Sequence, residues 1–547
     1  MIAFVILPII VGLFFYICHC KFLLKIALIL EALLVSLSIY FMKVMLTQGT
    51  PLMMQLSAIP LPYGMSLRID FLAATMLLLN SILFGTMILF NLHKSYMNKL
   101  FIFLFLSLQG LINGIFLSTD FFNIYILIEV ATVVVSILIM YKQDSQSMYD
   151  GMIYLMVNMI AMTFFLLGVG YLYKFSGALD FFSIREFVTT HQNIKSLILP
   201  FALLLTGVSL KAALMPLFSW LPKAHGTASA PSIVSGVLSG IFVKTGVYLF
   251  IRLLWIFGDV FPIAPLFVWM GVITAIAGFI FAFAQSDIKL ILAYHTISQI
   301  GLIMIGLSSP VSKGVSGGIY HIFAHGIFKT LLFLIAGVLI EVYKTRKISE
   351  MHGLFRRSKS LSLVLLFAIL SITGAPLFSG GYSKYYISGS FSGSLMEVIF
   401  IVINMGTMMS FIKFLKILLP EKNAREEQHF YVAIPEYEAD VVKKTIPANT
   451  IIALLILALI SLALGLFGDY FFSLFTEDTG KYSILYQLSK LPKYIITYAF
   501  SFVAYAFMVR RQSLLKFFKG LELSFNEITL AILTFFVATT VYLNIII

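Results

Sequence analysis

His321, His325 and Lys329 recur at intervals of four in the apolar segment "GIYHIFAHGIFKTLLFLIAGVLIE". Positions i, i+4 and i+8 share one face of a helix, each about one turn from the next. Imidazole titrates near neutral pH, and an ammonium taken out of water releases its proton more readily. Two imidazoles and an ammonium stacked in this way form a ladder able to take and release protons. Two imidazoles one turn apart can also share a metal ion. No third carboxylate or thiol is evident nearby, however, and Lys329 would repel a cation. The pattern is read as proton chemistry, with no metal.

Further charges sit inside other apolar runs: Glu31, Glu129, Lys211, Lys244 and Lys384. An unpaired charge at the bilayer centre costs about 2.5–3.5 kcal/mol on insertion scales, so such residues are rare without a reason. Lys413 and Lys416 lie close enough to the end of their run to reach the surface along their own stems. Lys211 and Lys244 lie too deep for that. The alternative is that these charges only pair and hold helices together. For Glu31 taken alone, that alternative is as good as a functional reading.

The elements that must position these groups are membrane spans. The chain has 547 residues, 60% of them hydrophobic and only 11% charged, with a mean hydropathy of +1.01. Soluble domains carry about a quarter charged residues. Apolar runs long enough to cross about 30 Å of hydrocarbon recur throughout. About sixteen are expected, at 2–17, 22–42, 69–91, 100–118, 120–141, 151–173, 196–219, 228–256, 262–284, 288–308, 315–342, 361–388, 393–418, 450–473, 485–509 and 525–546. The longest polar interruptions, 44–69, 174–195, 344–360 and 419–449, leave no room for a soluble domain of ordinary size. The first run lacks a basic start and a small-residue cleavage site, so it is read as a span rather than a secretory signal. Cys18, His19 and Cys20 at its end are read as packing residues and not as a metal site. Basic residues concentrate in alternate loops, above all in the cluster Lys344, Arg346, Lys347, Arg356, Arg357 and Lys359. The positive-inside rule then places both termini outside. The net charge of +13 is an orientation signal, and nucleic acid has no part in it.

"MPLFSWLPK" at 215–223 is echoed by "APLFSGGYSK" at 375–384. Each copy has Pro-Leu-Phe-Ser, a second helix breaker and a lysine. The copies fall in spans seven and twelve. An odd offset of five spans makes them run in opposite directions, the mark of an inverted repeat whose paired broken helices flank a transport site. Pro216, Pro376, Gly380 and Gly381 are the expected breaks. The fold class is therefore an all-α polytopic membrane protein. It should have about 14 core transmembrane helices with two inverted five-helix repeats, plus about two extra C-terminal helices. The expected divisions are 1–99, the first repeat 100–256, the second repeat 262–418, a charged inside loop 419–449, and C-terminal helices 450–547.

Three stretches carry a resemblance: "LKAALMPLFSWLPKAHGTASAPSIVSGVLSGIFVKTGVY", "QSDIKLILAYHTISQIG" and "YHIFAHGIFKTLLFLIAGVLIE". They resemble the antiporter-like subunits shared by respiratory complex I, Mrp-type sodium/proton antiporters and membrane-bound energy-converting hydrogenases. The resemblance runs from about residue 65 to 418. It implies a proton relay in which Glu129 pairs with Lys211, and Lys244 passes the proton to His321, His325 and Lys329. Lys384 is its terminal member. His295 stands where complex I relatives often have serine, which leans toward the hydrogenase and Mrp branches. It and Glu31, which matches no family site, are accessory candidates.

The implied function is proton translocation, or cation/proton antiport, by a subunit of a larger energy-converting complex in a prokaryotic cell membrane. Its partners would be lipid, protons or sodium, and other membrane subunits including further antiporter-like ones. Soluble redox subunits would join in a hydrogenase or dehydrogenase type of complex. No flavin, nicotinamide, haem or cluster motif is visible, so no cofactor is expected in this chain and redox centres would reside in partners. The alternative is a subunit of an inorganic-carbon uptake system, or another solute transporter, using the same fold.

Overall fold

Inside a bilayer every backbone polar group must find its partner within the protein, and a helix does this within one segment. The computed structural model describes all residues except 19–22, 57–63, 227–229, 421–445, 477–481 and 522. His19, Cys20 and most of the charged loop expected at 419–449 lie outside the described residues.

The chain opens with α1 (Ala3–Ile17) and α2 (Leu23–Gln48). A small antiparallel hairpin follows, β1 (Leu52–Gln55) and β2 (Ser66–Ile69), in a polar stretch where no strand was expected. Next come α3 (Phe71–Asn91), α4 (Lys99–Leu117), α5 (Phe121–Ile139), α6 (Ser145–Ser176) and the short α7 (Phe181–Thr190). The first broken span is α8 (Ile198–Lys211) with α9 (Trp220–Gly226). It leads to α10 (Ser232–Val237), a π-helical turn at Leu238–Phe242, and α11 (Val243–Phe257). The second half holds α12 (Ala264–Ala284), α13 (Ile288–Leu307), α14 (Ser312–Tyr343) and the one-turn α15 (Leu354–Arg357). Its broken span is α16 (Lys359–Thr373) with α17 (Ser379–Gly389), followed by α18 (Leu395–Leu418). The C-terminal part is α19 (Ala448–Leu466), α20 (Gly468–Thr476), α21 (Ile484–Ser489), α22 (Leu491–Arg510), α23 (Gln512–Lys519) and α24 (Phe525–Ile546).

Among the described residues, fourteen helices are long and apolar enough to cross a membrane, and α1 and α16 are shorter apolar helices. Together they occupy the sixteen expected spans. This is an integral, multi-pass membrane protein. Many ends are set by side chains that accept a backbone N–H of the first turn: Asp70, Asn98, Asp120, Asp144, Asp180 and Asp287 do so. The most enclosed helices are α13 and α14, each with 94% of its apolar window buried.

The two breaks close in the same way. At the end of α8, Ala213 N–H donates to Leu210 O and Leu214 N–H to Ser209 O; at the end of α16, Gly374 N–H donates to Ser371 O and Ala375 N–H to Leu370 O. Ala213 and Gly374 are both left-handed, with φ of 54° and 80°. Pro216 and Pro376 lie in these breaks. Gly380 and Gly381 do not: they form the first turn of α17. Their role is contact, because a methyl on Gly380 would fall 1.9 Å from Ser371 O and one on Gly381 would fall 2.3 Å from Ala375 O. Glycine there lets α17 start against the end of α16.

A second device recurs at the helix ends. Phe121 N–H donates to Leu179 O and Phe181 N–H to Thr119 O; likewise Ile288 N–H donates to Arg346 O and Ile348 N–H to Ser286 O. Each number in the second set exceeds its counterpart by 167 (121 to 288, 179 to 346, 181 to 348, 119 to 286). The hairpin α5–α6 and the hairpin α13–α14 are therefore equal in length and tied at the same points.

Candidate functional site

Lys211 is the last residue of α8, and the break beyond it leaves the side chain in the protein interior. It is 1% exposed. Its Nζ donates to Thr132 Oγ1 of α5 at 2.7 Å and to Asn158 Oδ1 of α6 at 3.1 Å, and lies 4.7 Å from the Phe242 ring centre. Glu129, one turn before Thr132, is within electrostatic reach of Lys211 but makes no ion pair with it. Its buried Oε1 has no hydrogen-bond partner. The implied pair is thus not a contact pair. Two neutral oxygens hold the ammonium instead. A contact carboxylate would hold the proton on the amine, whereas neutral acceptors leave it transferable.

Lys244 follows the π-helical turn and is fully buried. The wide turn presents the Ser239 carbonyl, which accepts from Lys244 Nζ. Such turns occur frequently at functional sites. Ser239 Oγ is 2.9 Å from both His225 Nε2 and Thr296 Oγ1, so α9, the π-helical turn and α13 meet at this hydroxyl. Lys244 lies within electrostatic reach of His321, His325 and Lys329 on α14. Lys329 Nζ donates to Leu292 O at 2.8 Å.

His321, His325 and Lys329 all lie on α14. His321 and His325 have ring centres 6.2 Å apart, and both are fully buried. His321 Nδ1 is 2.7 Å from Ser383 Oγ and its Nε2 is 3.1 Å from Gln299 Oε1. Both ring nitrogens of His325, and both of His295, lack a protein partner. No ion pair among the described residues includes Lys244, Lys329 or Lys384. In a medium of low dielectric, a positive charge on one of these groups raises the energy of a charge on the next.

Among the four lysines Lys384 is the exception in exposure. It is half-buried, and its Nζ donates to Ile372 O at 2.8 Å and to Asn404 Oδ1 at 3.0 Å. It borders a cavity of about 270 Å³, also lined by Asn404, Tyr385, Glu397, Tyr486 and Lys493. Glu397 and Lys493 form an ion pair at 3.7 Å. The extra C-terminal helices thus wall the space next to Lys384, a role their sequence does not announce. Glu31 stands apart from this line, on α2.

The charged members were visible as charges in apolar runs, but their neutral partners were missed: Thr132, Asn158, Ser239, Thr296, Gln299, Ser383 and Asn404. So were His225 and Lys289, whose buried Nζ donates to Ala230 O at 2.8 Å. One signal could have found several of them. The 167-residue shift that relates the two hairpins carries Tyr154 to His321, Asn158 to His325 and Thr132 to Gln299. Thr132 and Asn158, which hold Lys211 in the first half, thus stand at the positions of Gln299 and His325 in the second.

Residues 118–410 match the family model described as NADH:quinone oxidoreductase/Mrp antiporter, TM. The chain belongs to this family. It is an antiporter-like membrane subunit of the Mrp and complex I type. A Staphylococcus aureus (strain MRSA252) chain named as antiporter subunit mnhD2 is 32% identical over 346 residues, which is 62% of this chain and 68% of that one. NADH-quinone oxidoreductase subunit N of Desulforudis audaxviator (strain MP104C) is 27% identical over 445 residues, 78% of this chain and 87% of that one. A chain in the structure of the Mrp complex from Dietzia sp. DQ12-45-1b shares the fold at a TM-score of 0.76 and 22% identity. The match covers 91% of this chain and 98% of that one. The family's antiporter-like subunits therefore share the architecture that positions the buried line.

Proposed function

We propose that this antiporter-like subunit carries protons along Glu129, Lys211, Lys244, Lys329, His325, His321 and Lys384, with His295 as an accessory. The observation that supports this best is the way the buried amines are held. Lys211, Lys244, Lys329 and Lys384 each donate to neutral oxygens, and none forms an ion pair among the described residues. A structural strut would be paired with a carboxylate; a proton carrier must be able to let go. Glu129 modulates Lys211 from a short distance, and Lys384 passes the proton to water in its cavity.

Mrp-type and complex I-type relatives are parts of larger membrane assemblies, so this chain acts beside other membrane subunits. The driving energy comes from partner redox centres or from an opposing cation gradient. Both termini face outside, as the basic loops indicate, and the host membrane is that of a prokaryotic cell. The decisive experiment is proton uptake into vesicles carrying the assembled complex. Glu129→Ala and Lys211→Ala should each abolish uptake while the complex still assembles. Wild-type uptake in both variants would refute the assignment.

A further inference from the structure

Glu31 is a further titratable group at membrane depth, and the line just described does not use it. It lies on α2 and is 3% exposed, although the opposite face of that helix exposes Ile29 and Leu33. Its carboxyl points inward against α3, where Gly85 makes room: a methyl on Gly85 would sit 3.0 Å from Glu31 Cβ. Oε2 accepts from Gln109 Nε2 of α4 at 2.7 Å, and Oε1 is buried without a partner.

One amide N–H is too little to hold an ionised carboxylate out of water. Among the described residues no cation pairs with it. Neither α1 nor α3, the helices packed on α2, carries a charged residue within its span, and none of the ion pairs among the described residues includes Glu31. On α2 itself, Lys25 and Lys43 are about 9 and 18 Å away along the axis at 1.5 Å per residue. On α4, Lys99 is about 15 Å from Gln109 by the same measure. At the loop ends of α3 the charges Arg68, Asp70 and Arg252 pair with one another. A metal ion does not fit either, since Gln109 turns its N–H rather than its oxygen to the carboxyl.

We propose that Glu31 is a second proton-binding site, a neutral carboxyl that carries its proton on Oε1 while Oε2 accepts from Gln109. The surroundings suit a proton that exchanges. Gln109 Oε1 and Asn80 Oδ1 are buried acceptors without donors, and Asn80 continues the polar track to Asn113 at 2.8 Å and from there to Phe4 O at 2.8 Å. An acid O–H on Glu31 supplies a donor where the other unmatched groups of this track are acceptors.

Infrared difference spectroscopy of the purified protein in lipid tests this near neutral pH, where exposed carboxylates are ionised. Wild type minus Glu31→Gln should show the C=O stretch of one protonated carboxyl, shifted in heavy water. Gln109→Leu removes the donor to Oε2 and should move that same band to higher frequency without abolishing it, which keeps the test available if Glu31→Gln does not fold. Loss of a carboxylate stretch in Glu31→Gln would overturn the proposal, as would a band unmoved by Gln109→Leu or by heavy water. A band removed by sodium chloride but not by choline chloride would make Glu31 a cation ligand and overturn it equally.

Discussion

At the residue scale, a proton relay out of water depends on neutral groups as much as on charged ones. Lys211 rests on Thr132 and Asn158. Removing either acceptor leaves a buried ammonium short of a partner, at about 1–3 kcal/mol. Thr132→Val and Asn158→Leu should each lower proton uptake at least several-fold and lower thermal stability, with Glu129 and Lys211 untouched. Uptake at wild-type rate in both would show that these oxygens do not set the state of Lys211. Lys384 allows a sharper comparison. Arginine keeps the charge and can still reach the Ile372 and Asn404 oxygens, but it does not release a proton. Lys384→Arg should therefore inhibit uptake almost as strongly as Lys384→Ala at matched expression. Full activity with arginine would make Lys384 a strut.

At the element scale, the two broken helices share a mechanism of interruption, but their residues differ. The left-handed position is Gly374 in one and Ala213 in the other. An L side chain in that region costs about 1–2 kcal/mol. A methyl on Gly374 would also sit 3.0 Å from Lys384 Cδ. Gly374→Ala should therefore lower the thermal midpoint in detergent and also reduce uptake, because it displaces the lysine. Ala213→Gly should be close to neutral in stability, since relief of the backbone is offset by one buried methyl worth about 0.8 kcal/mol. Equal losses in the two variants would mean that backbone conformation is not what these positions control.

At the scale of the whole molecule, the C-terminal helices clasp both halves. α22 packs on α18, α23 crosses α12, and α24 packs on α8; just before α24, Leu523 O accepts from Lys223 Nζ of α9 at 2.6 Å. Sixteen spans are an even number, so both termini would belong on one face, which the orientation proposed from the basic loops makes the outer one. Short tags at the two ends should both be reached by antibody in intact cells. A tag reached only after permeabilisation would reverse the orientation or change the number of crossings.

The amino-acid sequence by itself determined the membrane class, the sixteen apolar segments, and which charges lie within them. Each of these follows from one-dimensional facts: a run of apolar residues long enough to cross, or a charge where charge is costly. It also showed Pro216 and Pro376 as breaks, because proline removes a backbone donor wherever it stands. Gly380 and Gly381 misled, since glycine serves close contact as readily as a break, and only the approach of α17 to the end of α16 tells which. The missing contact between Glu129 and Lys211 was likewise a tertiary matter. Motif spacing says which residues face each other across two helices, while a few ångströms of helix placement decide between an ion pair and a pair of neutral oxygens. The neutral partners were hidden for a related reason. Threonine, serine, asparagine and glutamine are tolerated in spans without penalty enough to stand out, so their role appears only when the helices bring them to a buried amine or imidazole.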